Sequence, residues 1–116
     1  MPGQQNSKID YVEFAATDLG AFKKFYGEVF GWTFQDWGPD YISFEGAGID
    51  GGARGGEAPV NGSTTVILYT DDLEDAERRV VKAGGAIGAR HEFPGGKRFH
   101  FTDPCGNALA VWTKQG

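Results

Sequence analysis

The chain repeats itself, and the repeat limits its possible folds more than any other feature. Asp18-Leu19 and Asp72-Leu73 each open a run with helical spacing, and the two pairs stand 54 residues apart. The same offset carries Gly31 onto Gly85, each at the predicted C-terminus of its helix. Phe44 and Phe101 then correspond at an offset of 57, and Gly48 and Gly106 at 58, so small turn differences separate the copies. A unit of this size cannot bury the apolar face of its own sheet, so two units must pack side by side.

Each unit reads as strand, helix and three strands. Lys8 to Ala15 alternates, with Val12 and Phe14 on one face and Ile9, Tyr11 and Glu13 on the other. Thr17 or Asp18 is placed to cap a helix whose apolar positions are Leu19, Phe22, Phe25, Tyr26, Val29 and Phe30, ended by Gly31. Strands are predicted over Trp32 to Trp37, Asp40 to Glu45 and Gly48 to Arg54. The Gly/Pro-rich connector runs from Gly55 to Gly62. The second unit begins with a strand over Ser63 to Thr70, followed by a helix capped by Asp71 with Glu74 three residues on. Leu73, Ala76, Val80 and Ala83 form that helix's buried stripe, and Glu74–Arg78 and Asp75–Arg79 are i,i+4 pairs. Further strands are expected at Ala86 to Phe93, Arg98 to Thr102 and Asn107 to Thr113. The fold class is therefore α+β: two tandem βαβββ modules, about 8–54 and 63–114 joined by connector 55–62, forming one domain and an incomplete barrel around a concave cup.

Charge and cysteine usage remove several function classes. The net charge is −5, and basic residues occur singly or in pairs, so no basic face suits nucleic acid. One cysteine, Cys105, rules out an intrachain disulfide and a Cys-based zinc site. In its Asp-Pro turn it reads as an exposed thiol with no base beside it. Met1 to Lys8 is polar, and no stretch is apolar enough to span a bilayer, so a cytoplasmic location is expected.

The motifs Thr17-Asp18-Leu19, Phe25-Tyr26-Gly27, Val29-Phe30-Gly31-Trp32 and Phe101-Thr102-Asp103-Pro104-Cys105-Gly106-Asn107 resemble the vicinal oxygen chelate superfamily of glyoxalases, bleomycin-resistance proteins and extradiol dioxygenases. The likeness spans about Lys8 to Lys114 and implies paired βαβββ modules, often in a dimer. It also implies a divalent metal held by four side chains in the cup, at positions that fall here on Tyr11, Gly52, Thr65 and Ala110. Gly and Ala offer no donor, neutral Thr is weak, and Tyr would need its phenol deprotonated. No metal and no other cofactor is therefore expected.

The residues expected to meet a ligand are Tyr11, Glu13, Arg54, Thr65, Tyr69, His100 and Trp112. Glu13 shares its strand face with Tyr11 and could be a general base, a counter-ion for a cationic ligand or a lone metal ligand; the plainer alternative is a rim carboxylate paired with Arg54. His100 faces opposite to Phe99 and Phe101, toward the cup or solvent. Tyr11, Tyr69 and Trp112 would give the cup an aromatic wall, or a surface for dimer packing.

These observations favour a metal-independent small-molecule-binding protein of the glyoxalase/bleomycin-resistance type, binding a cationic or aromatic ligand as a homodimer. The alternatives are a glyoxalase-like metal-dependent lyase, isomerase or dioxygenase with displaced ligands such as Glu13 and His100, and an interaction module using the fold as a dimer scaffold.

Overall fold

The computed structural model describes residues 6–115; Met1 to Gln5, part of the polar Met1 to Lys8 stretch, and Gly116 lie outside the described residues. The first module comprises β1 (Tyr11–Ala16), α1 (Leu19–Phe30), β2 (Thr33–Asp36), β3 (Tyr41–Glu45) and β4 (Asp50–Gly55). The second comprises β5 (Ile67–Tyr69), α2 (Leu73–Lys82), β6 (Ala86–Phe93), β7 (Gly96–Thr102) and β8 (Ala108–Lys114). The sheets have the same strand order, β1-β4-β3-β2 and β5-β8-β7-β6. In each, the strand before the helix pairs in parallel with the last strand of its module and forms one edge. Neither sheet closes into a barrel.

Local chemistry explains most helix boundaries. Asp18 is extended and its carboxylate accepts the Ala21 N–H at 3.1 Å, capping α1. Gly31 ends it at φ 76°, a conformation that suits a residue without a Cβ.

The cap of α2 is Asp72, not Asp71; its carboxylate accepts the Asp75 N–H at 3.0 Å. Asp71 instead accepts the Tyr69 hydroxyl at 3.0 Å, and the Asp72 N–H bonds to Thr70 Oγ1, delaying the helix by one residue. Asp75 also collects both Arg78 and Arg79, so the expected Glu74–Arg78 pair gives way to an i,i+3 bridge.

β5 is shorter than the predicted Ser63 to Thr70. The Asn61 side chain bonds to the Gly106 carbonyl at 2.9 Å and the Ala108 N–H at 3.0 Å, pinning the approach to the sheet outside its ladder. Thr65 consequently precedes the strand and is exposed.

Both helices and the inward sheet faces enclose one core. Tyr26 sits at its centre, 4.5 Å from Phe22, 4.7 Å from Trp32 and 4.9 Å from Phe25 between ring centroids. Phe25 and Phe30 reach across to Phe101 in the other module at 5.9 and 6.0 Å.

The Asp103-Pro104-Cys105-Gly106-Asn107 turn completes the joint. Asp103 accepts the Tyr26 hydroxyl at 2.7 Å through one oxygen and the N–H groups of Cys105 and Asn107 through the other. Asn107 donates to the Ala15 carbonyl at 2.8 Å, and the Cys105 thiol to the Asp18 carbonyl at 3.3 Å. Cys105 is therefore buried, contrary to the expected exposed thiol, and burial raises its pKa. Both effects oppose a nucleophilic role.

Candidate functional site

Because strand residues alternate, packing Val12, Phe14, Ile42, Phe44 and Ala53 inward turns their neighbours onto the open face of the first sheet. Tyr11, Glu13, Tyr41 and Arg54 meet there in a continuous chain of hydrogen bonds. The Tyr11 and Tyr41 hydroxyls are 2.7 Å apart, the Tyr41 hydroxyl donates to Glu13 at 2.9 Å, and Arg54 donates to the other Glu13 oxygen at 3.0 Å. Arg54 also binds Glu57 at 2.9 Å. Burial, the bond to Tyr11 and the Glu13 carboxylate hold the Tyr41 phenol well above its usual pKa. It is a proton donor, not a phenolate.

Gly52 makes this arrangement possible. A Cβ there would lie 2.7 Å from the Ile42 carbonyl oxygen and closer still to both phenol oxygens. The two tyrosines occupy the space that a side chain at Gly52 would need.

The second sheet presents different chemistry. Its register aligns Tyr69 with Trp112, Trp112 with Arg98 and Arg98 with His91, a single row across all four strands. Tyr69 and Trp112 rings stand 5.1 Å apart, edge to face, and Phe93 lies 6.4 Å from Trp112. His100 is opposite Ala110, its ring perpendicular to that of His91 at 5.5 Å. Burial lowers the His100 pKa, and the neighbouring Arg98 and His91 lower it further.

The residues expected from sequence thus fall into two sets. Tyr11, Glu13 and Arg54 are brought together on one sheet; Tyr69, His100 and Trp112 share the face of the other. Among the described residues, no hydrogen bond or ion pair joins the sets. Thr65 stands apart from both, before β5.

Sequence reasoning missed Tyr41, Arg98, His91 and Phe93 as site neighbours. Alternation with Ile42 and Phe44 marks Tyr41, and a two-residue spacing from His100 marks Arg98. Placing His91 required the β6–β7 register, which a bulge between Ile87 and Arg90 alters.

The four positions that the resemblance assigns to a metal do not fit one. Tyr11 is engaged with Tyr41, Gly52 lacks a donor, Thr65 is exposed outside the strand, and Ala110 is buried without a donor. Among the described residues, no three His, Cys, Asp or Glu side chains gather as a potential metal site.

Two cavities border these clusters: His91 and Arg98 also line the first, and Tyr69 the second. One of about 760 Å³ lies between α2 and the β6–β7 hairpin, lined by residues including Leu73, Glu77, Val81, Arg90 and Phe99, with an Arg90–Glu77 ion pair. A groove of about 430 Å³ includes Val12 of β1 and Val66, Ile67 and Leu68 at β5.

Tandem βαβββ units with matching strand order define the paired-module class of α+β proteins. The chain belongs to the Glyoxalase/Bleomycin resistance protein/Dioxygenase superfamily, whose family model matches residues 8–111. Its fold is similar to that of the fosfomycin resistance protein FosX from Listeria monocytogenes, with TM-score 0.81, 13% identity and 96% of each chain covered. A glyoxalase-related enzyme from Fulvimarina pelagi gives TM-score 0.75 at 23% identity, over 93% of this chain and 88% of that one. An integron cassette protein from the mobile metagenome of V. cholerae gives 0.68 at 25% identity, over 97% and 98%. No curated protein matches the sequence.

Proposed function

We propose that this chain is a small-molecule-binding protein of the glyoxalase/bleomycin-resistance type that works in the cytoplasm without a resident divalent metal. The observation that carries the reading is the Tyr11–Tyr41 pair over Gly52: two phenols, one bonded to Glu13, fill space at a position where a metal site would need a donor side chain. The open faces supply aromatic surface and hydrogen-bonding groups, the usual components of a small-molecule site. Glu13 is already compensated by Arg54 and Tyr41, which favours the aromatic part of the expected ligand over a cationic charge.

Elemental analysis of mildly purified protein, followed by calorimetric titration with manganese, nickel and zinc, tests the reading. The expected result is far less than one metal per chain and no stoichiometric binding. About one metal per chain would overturn it.

The same reading includes a homodimer. β1 and β5 each lie at a sheet edge, with no second strand partner among the described residues, and the apolar groove includes residues from both strands. Unpaired edges invite pairing, and a second copy would cover them. Light scattering at micromolar concentration is expected to give twice the chain mass; monomer alone would remove the dimer from the reading.

A further inference from the structure

The protein has five arginines, and four of them form ion pairs: Arg54, Arg78, Arg79 and Arg90. Arg98 differs. It is half-buried, and among the described residues it has no hydrogen bond or ion pair. Its in-register neighbours are Trp112 on one side and His91 on the other, with His100 two residues along the same strand. An uncompensated guanidinium held between an indole and imidazoles, on a protein of net charge −5, is best completed by an anion.

Trp112 is set in place by the floor beneath it. A Cβ at Gly96 would stand 3.3 Å from the indole and closer to the Thr113 carbonyl, so the glycine lets the ring lie close to β7. Tyr69 and Phe93 flank the indole. The Tyr69 hydroxyl donates to Asp71 at 3.0 Å, which fixes the Tyr69 ring beside the indole.

We propose that the open face of the second sheet selects a planar aromatic anion, its ring against Trp112 and Tyr69 and its carboxylate on Arg98 with His91 and His100 alongside. The proposal rests on the small-molecule reading above and names the ligand class for that site.

Three probes of one shape test it: 2-naphthoate, 2-naphthamide and 2-naphthylmethylammonium, titrated into the full chain by calorimetry while the Trp112 indole N–H signal is followed by NMR. The acid is expected to bind about tenfold or more tightly than the amide, as for a hydrogen bond to a charged group. Arg98→Gln should bring acid and amide to within about twofold while changing the amide's affinity little, because the neutral probe keeps its ring contacts with Trp112 and Tyr69. Arg98→Lys should retain part of the preference and controls for folding. Equal binding of acid and amide by the wild type, or tighter binding of the ammonium, refutes anion selection while leaving the small-molecule reading in place. Failure of all three to move the Trp112 signal refutes both.

Discussion

Asp103→Ala will reduce the free energy of unfolding by about 3–5 kcal/mol, as expected when a buried acceptor serving several donors is lost. The carboxylate is buried and serves three donors: the Tyr26 hydroxyl and the backbone N–H groups of Cys105 and Asn107. Alanine leaves all three without that acceptor in a region closed to water, where each unmet group costs about 1–3 kcal/mol before relaxation. Asp103→Asn keeps an acceptor oxygen toward the turn and should cost less. Urea denaturation measures both variants; a loss below about 1 kcal/mol for Asp103→Ala would mean that water readily replaces the carboxylate. The same network predicts alkaline sensitivity. Burial, and then Asp103, raise the Tyr26 pKa well above the ordinary tyrosine value. The unfolded chain releases the phenolic proton first, so stability falls as pH rises above about 10.

Gly52→Ala should also have a large effect, combining lost stability with a rearranged site. The new methyl would meet the Ile42 carbonyl oxygen at 2.7 Å as well as the two phenol oxygens. The tyrosines could rotate away, but the backbone carbonyl belongs to the adjacent strand and must move with it. Overpacking of this kind costs about 1–3 kcal/mol. The Tyr11–Tyr41 bond should break as well, exposing the Tyr41 phenol and returning its pKa toward the ordinary tyrosine value. Ultraviolet titration of the folded variant at alkaline pH reads that shift, and denaturation reads the stability. A variant with unchanged stability and an unchanged tyrosine titration would show that Gly52 does not control the phenol pair.

The fold was legible because its strongest signals are local. The two Asp-Leu helix starts, the helical apolar spacing and the glycine stops depend on residues close in sequence, and the structure places α1 and α2 there. Where the structure differs, a side-chain hydrogen bond competed with the local pattern, between residues 2 apart at Asp71 and 45 apart at Asn61. Tyr69 drew Asp71 away from the cap, and Asn61 held the approach to β5 beside the distant Gly106 turn. Cys105 looked exposed because its turn is short and polar; its burial depends on α1, whose Asp18 cap lies 87 residues earlier.

The site was half legible for a related reason. Alternation correctly turned Tyr11 and Glu13 to one face, and Arg54 proved to be the partner of Glu13. Tyr41 and Arg98 carried a facing signal within their own strands, but His91 and the alignment of Trp112, Arg98 and His91 require strand order and register, which no single segment contains. The His pair illustrates the limit. Each histidine looked solitary along the chain, yet β6 and β7 bring their rings to 5.5 Å.

Matching topology has not produced matching walls. One module presents phenols and a carboxylate–guanidinium pair, the other an aromatic and cationic row, on sheets of the same strand order. The backbone is pseudo-symmetric while its chemistry has a direction. A molecule touching both walls would have to be two-ended, and turning it end for end would exchange complementary contacts for mismatched ones. The two sheets therefore offer different partners to the two ends of any molecule that reaches both.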